Sequence, residues 1–322
     1  EGIFQVVHGD KQMVDLILDH PAIGAVSFVG SSDIAQYVYS RGVAAGKRVQ
    51  AMGGAKNHGI VMPDADLDQV VNDLAGAAFG SAGERCMALP VVVPVGEDTA
   101  ERLKAKLIPA IEALKVGIST DPDAQYGPVV TAMHKANIER WIETAVNEGS
   151  ELVIDGRGFT LQGHEDGYFV GPTLLDHVTT DMTSYHNEIF GPVLSVVQVD
   201  TFEEALEIEN SNPYGNAASV YTERGANAEF FTRRFNAAML GVNIGIPVPR
   251  EPFSFGGLYG TASKFGDCDV TGDGALEFFT NRIKITSKWT SSYSTATART
   301  AVKRPLPSQD GLQDKANFDG RM

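Results

Sequence analysis

The sequence predicts an α/β protein built on a mainly parallel sheet. Two observations carry this. Short apolar runs alternate with amphipathic helical segments along most of the chain, and 322 residues suit about two domains rather than one small core. A content of 43% hydrophobic and 21% charged residues is that of an ordinary soluble globular chain.

The elements follow in order. "AVSFV" (25–29) reads as a strand, and Gly30-Ser31-Ser32 then opens a helix that Ser31 or Ser32 can cap, with Ile34, Tyr37 and Val38 as its apolar stripe. A strand, a Gly-Ser turn and a helix N-terminus can bind phosphate through free backbone N–H groups, although such turns also serve as plain connections. No GxGxxG is present, so the usual dinucleotide fingerprint is missing. "RVQAMGG" (48–54) reads as a second strand, and the helix of 64–80 buries Leu67, Val70, Val71, Leu74 and Ala78. After a glycine-broken turn come strand 88–95, helices 99–114 and 132–147, strands 151–155 and 193–199, helix 202–210, strand 217–221 and helix 226–236. "NRIKITSKW" (281–289) alternates like a late strand, whereas 290–322 turns to Ser, Thr, Ala, Pro and Gln and is expected to be flexible.

Composition excludes several classes of function. A net charge of −15 argues against a broad nucleic-acid surface. No apolar run reaches the roughly 18 residues of a membrane span, and the opening residues do not resemble a signal peptide. Two cysteines, Cys86 and Cys268, supply no disulfide framework and fit a reducing compartment, and no Cys/His/Asp spacing indicates a metal site. In "GSAGERCMA" (80–88), Cys86 is either an inert core thiol or a nucleophile activated by its charged neighbour Arg85.

Five stretches in this order, "FVGSSDIA", "GGAKN", "GSAGERCMA", "NEIFGPV" and "FSFGG", resemble the signature motifs of the NAD(P)-dependent aldehyde dehydrogenases over about residues 1–289. "AMGGAKNHGIVMPDADLD" and "AGERCMA" are most similar to the CoA-acylating methylmalonate-semialdehyde dehydrogenases of that family. The resemblance implies a partial Rossmann-like dinucleotide domain (1–54), a catalytic thiol domain (55–260), a return segment with an oligomerisation strand (261–289) and the polar tail (290–322). It also implies NAD as cofactor and CoA as co-substrate, a homodimer or homotetramer, and a bacterial cytoplasmic or mitochondrial matrix setting.

Within the resemblance, Cys86 is the nucleophile that forms a thioester, and Arg85 grips the carboxylate of a malonate or methylmalonate semialdehyde. Gly30 and Ser31 lie near the nicotinamide and pyrophosphate, Glu188 accepts from the nicotinamide ribose hydroxyls, and Phe190 packs by the nicotinamide. Read without the family, Glu188 is a solvated loop acid, Phe190 a core aromatic and His58 a structural histidine. Hydrolytic relatives carry a water-activating glutamate 34 positions before the nucleophile; here that position is Met52, which cannot take a proton. The expected product is therefore propionyl- or acetyl-CoA rather than a free acid.

Glu84 as a substitute base, a hydrolytic enzyme and a non-catalytic fragment are the competing readings. The family's oxyanion-hole asparagine and a second substrate arginine are expected upstream of Glu1. Ala35 stands where many relatives have Gly, and Leu258-Tyr259 where they have Trp-Lys.

Overall fold

The computed structural model describes residues 2–289, so the expectation for 290–322 lies outside the described residues. The chain opens with α1 (Lys11–Asp19), β1 (Ala25–Val29), α2 (Ser32–Ala44) and β2 (Arg48–Met52). β3 (His58–Val61), α3 (Leu67–Phe79), β4 (Val91–Pro94), α4 (Glu97–Glu112) and α5 (Ala132–Glu148) come next. β5 (Glu151–Ile154), β6 (Thr173–Asp176), a single turn α6 (Thr183–His186), β7 (Val193–Val196), α7 (Phe202–Ser211) and β8 (Ala217–Tyr221) follow. The last elements are α8 (Gly225–Thr232), β9 (Met239–Val242), β10 (Lys264–Gly266) and α9 (Gly272–Phe279).

The strands form two sheets. The larger has the order β5-β6-β7-β4-β3-β8-β9 and is parallel throughout except for the β5–β6 pair. Every residue of β3, β4, β6, β7 and β8 is buried, which explains why these strands read as continuous apolar runs: helices cover both faces of a parallel sheet. α3 supplies one cover. Its N-cap Asp66 accepts from the backbone of Asp68 and Gln69, and Leu67, Val70, Leu74, Ala77 and Ala78 face the core.

The smaller sheet has the order β1-β2-β10. β1 and β2 are parallel, whereas β10 arrives from the far end of the chain and pairs antiparallel, Lys264 against Met52. Leu18, Ala35, Val38, Val49 and Ala51 make its core. Ile34 is half exposed, and the buried stripe of α2 runs through Ala35 and Val38 instead. Ser31 occupies the N-cap of α2 without a side-chain capping bond. Ser32 Oγ is committed elsewhere, donating to Ala262 O at 2.7 Å and accepting from Gly54 N at 3.0 Å.

The expected late strand at 281–289 has no regular secondary structure, and Ile283, Ile285 and Trp289 are largely exposed. A strand needs a ladder to join. Among the described residues, 281–289 pairs with no strand.

Candidate active site

The thiol is placed by a reversal at the end of α3. Ser81, Ala82 and Gly83 all adopt left-handed backbone angles, φ 55°, 55° and 70°. A Cβ on Gly83 would come within 2.0 Å of Gly191 O, so this turn admits only glycine there. The close approach sets Cys86 beside the loop 188–192. Phe190 in that loop also holds φ 54°, a strained setting for an aromatic residue, and its ring is partly exposed rather than in the core.

The stretch from Gly54 to His58 fastens both loops. Ala55 N donates to Glu188 Oε1 at 2.9 Å, and Lys56 Nζ donates to Asn187 O at 2.7 Å and Ser184 O at 3.1 Å. Asn57 Nδ2 reaches the other loop, donating to Cys86 O at 2.9 Å and Ala88 O at 2.7 Å. His58 is buried between Tyr185 Oη at 2.9 Å and Glu209 Oε2 at 2.7 Å, a structural position. Nothing in the sequence pattern predicted that consecutive residues serve opposite loops, and Asn216, which also donates to Cys86 O at 2.7 Å, was missed altogether.

Electrostatics at the thiol run against one expectation. Burial pushes the Cys86 thiol up, the Glu188 carboxylate pushes it further, and the backbone N–H groups of Cys86 and Met87 oppose both. Arg85 does not act on it. Its Nε donates to Ser81 Oγ at 3.1 Å and its Nη1 to Gly76 O at 3.2 Å, so the guanidinium turns back over Gly80 toward the end of α3. Glu188 is itself raised by burial, an effect opposed by Ala55 N–H and Lys56, so it is no solvated loop acid. Burial lowers the Lys56 ammonium to about 8, with Glu188 pulling the other way.

Gly30, Ser31, Cys86, Glu188 and Phe190 converge on one cavity of about 310 Å³, which Gly53, Gly54 and His134 also line. Arg85 is not in this cavity. It borders a space of about 20 Å³ next to Cys86, room for about one water, and an open cleft of about 450 Å³ beside α3. Met52 is buried in β2, and Glu84 binds Val130 N and His134 outside both thiol cavities. Cys268 sits in a different loop, its N–H on Asp267. Glu151, Asp176 and His177 approach one another, but Lys104 already places its ammonium 2.6 Å from Asp176.

Comparison with known proteins gives a consistent result. A model of the aldehyde dehydrogenase family matches residues 1–285. The malonate-semialdehyde dehydrogenase of Pseudomonas aeruginosa is 49% identical over 90% of this chain and 58% of its own length. The human acylating methylmalonate-semialdehyde/malonate-semialdehyde dehydrogenase, mitochondrial, is 42% identical over 94% of this chain and 56% of its own. The crystal structure of methylmalonate-semialdehyde dehydrogenase from Oceanimonas doudoroffii superposes with TM-score 0.87 at 48% identity, covering 89% of this chain and 58% of that one. A Sinorhizobium meliloti structure complexed with NAD gives TM-score 0.86 at 53% identity, with coverage of 89% and 58%. The chain thus spans under two thirds of the length of these relatives, and with the family model matching nearly all of its described residues, it belongs to the aldehyde dehydrogenase family.

Proposed function

We propose that this chain is the thiol-bearing part of an NAD-dependent, CoA-acylating dehydrogenase of malonate or methylmalonate semialdehyde, yielding acetyl- or propionyl-CoA. The observation that carries this reading is the single cavity uniting Cys86, Glu188, Phe190 and the Gly30-Ser31 turn. The named activities of the relatives above support it.

The residues suit a dinucleotide. Ser31 leaves the first turn of α2 without a side-chain cap, so its N–H groups suit a phosphate. Glu188 offers carboxylate oxygens for a vicinal diol, and Phe190 a ring edge for the nicotinamide. Bound NAD supplies the hydride acceptor. On this reading residues 1–54 with the return strand β10 form the dinucleotide part, and 55–260 the thiol part.

Cys86 Sγ, as the thiolate, forms a C–S bond to the aldehyde carbon, and loss of hydride leaves a thioester on Cys86. Met52 stands where a water-activating acid would be, and Glu188 is the only carboxylate among the described residues lining the cavity. The acyl group's carboxylate leaves as carbon dioxide or bicarbonate and a proton takes its place; the shortened thioester persists until the thiolate of CoA attacks its carbonyl, the bond to Sγ breaks, and Cys86 is regenerated. Arg85 binds the substrate carboxylate with the planar fork of its guanidinium, from its place between the thiol and the cleft beside α3.

The protein acts as a homodimer or homotetramer, with the exposed apolar residues of 281–289 as the joining strand. The compartment is the bacterial cytoplasm or the mitochondrial matrix. No helix among the described residues is long and apolar enough to cross a membrane.

Hydrolysis to a free acid is the second reading, favoured by the one-water space beside Cys86 and Glu188. NADH formation with and without CoA separates the two. CoA-dependent turnover with an acyl-CoA product is expected; equal rates and free acid would end the acylating reading. No change in NADH fluorescence on titration into the protein would favour a non-catalytic role.

A further inference from the structure

The carbonyl of Cys86 is held by two side-chain amides that rise from neighbouring strands. Asn57 stands one residue before β3 and Asn216 one before β8, and these strands run in parallel register, His58 against Ala218. Asn57 Nδ2 donates to Cys86 O and Ala88 O, while its Oδ1 accepts from Ala217 N at 3.0 Å and Asn216 Nδ2 at 3.3 Å. All four hydrogen-bonding positions of that amide are filled. Asn216 Nδ2 makes its shortest bond to Cys86 O and also lies 3.3 Å from Met87 Sδ. Both side chains are buried, with 2% and 7% of each residue exposed, so they are as fixed as the sheet.

A peptide group is planar, so fixing the Cys86 carbonyl also fixes the direction of the Met87 N–H on its opposite side. That N–H and the one on Cys86 are the groups here that favour the thiolate over the thiol. They matter because the charged neighbours do not help. Glu188 acts against the thiolate, Arg85 is turned onto Ser81 and Gly76, Lys56 spends its donors on Ser184 and Asn187, and His134 contacts Glu84 and the Phe190 carbonyl.

We propose that Asn57 and Asn216 are positioning residues for the thiol: gripping the Cys86 carbonyl from β3 and β8, they keep the Cys86–Met87 peptide turned so that its N–H stabilises the thiolate. The proposal rests on the reading of Cys86 as nucleophile. Neither amide touches the reacting atoms.

Alkylation of Cys86 by iodoacetamide, followed against pH in the chain carrying Cys268→Ser, tests this without cofactor or substrate. Asn216→Leu and Asn57→Leu are each expected to slow alkylation at neutral pH about tenfold and to move its profile to higher pH, the loss of one charge-assisted hydrogen bond. A merely structural role would lower the melting temperature and leave the profile in place. A folded variant with the parent rate and profile overturns the proposal. Should neither variant fold, amide exchange in the unsubstituted chain decides: slow exchange at Met87 N–H is expected, and exchange at the rate of an open loop overturns it. Because alkylation needs only the thiol, failure of the dehydrogenase reading leaves the test intact, and a lost pH shift leaves that reading intact.

Discussion

The two sheets differ in how completely they are enclosed. β3, β4, β6, β7 and β8 have no exposed residue, whereas β1 mixes half-buried with exposed positions and β10 is half-buried throughout. The larger sheet supplies the fixed ground under Cys86 through Asn57 and Asn216. The smaller one presents the Gly30-Ser31 turn to the cavity with Val29 and Ile34 open to solvent. On the proposed reading, covalent chemistry is anchored on the rigid sheet, and binding is given to the one with room to adjust.

Removing the thiol separates the two roles most sharply. Cys86→Ser is expected to cut NADH formation with semialdehyde and CoA by about 10³-fold or more while NAD affinity, which the proposed reading assigns to the smaller sheet, is kept. Parallel loss of NAD binding would show that the sheets do not divide the work. A smaller effect comes from the cores. Leu74→Ala, under the larger sheet, is expected to cost about 2–5 kcal/mol in urea denaturation, against less than about 1 kcal/mol for Val26→Ala at a half-buried position of β1. Equal costs would break the comparison.

The smallest expected effect is a pH slope at Lys56, where the chain crosses from one sheet to the other. Its folded value of about 8 lies below the ordinary 10.5, so below pH 8 both states are charged and burial penalises the folded one in full. Between these values the unfolded chain binds more protons, and stability rises with pH. Lys56→Met is expected to remove that rise, on the order of 1–3 kcal/mol, in denaturation curves taken from pH 7.5 to 10.5.

Much of this architecture is legible in the residues. α3 and α5 have long apolar periodicity and side-chain caps, so their existence follows from local pattern alone. Cys86, Glu188, Phe190, Gly30 and Ser31 follow from motif order, and they do share a cavity. The strands β3, β6, β9 and β10 have three or four residues each and no signal of their own; distant ladder partners specify them. Arg85 was misjudged as an activator because adjacency in sequence does not fix where a long side chain points. Asn216 was invisible for a related reason: its partner Cys86 lies 130 positions away.

The antiparallel strand β10 has a consequence for synthesis. Its ladder to β2, the Gly53 N–H bond to Ser263 O and the Ser32 bond to Ala262 O all join positions more than two hundred residues apart. While the ribosome is still translating the middle of the message, the nascent β1–β2 pair has an unclaimed border, and the large sheet must fold beside it before the last partner emerges. Contacts of such high order form late, so the smaller sheet is the last part to set and the first place where premature termination leaves a sticky edge.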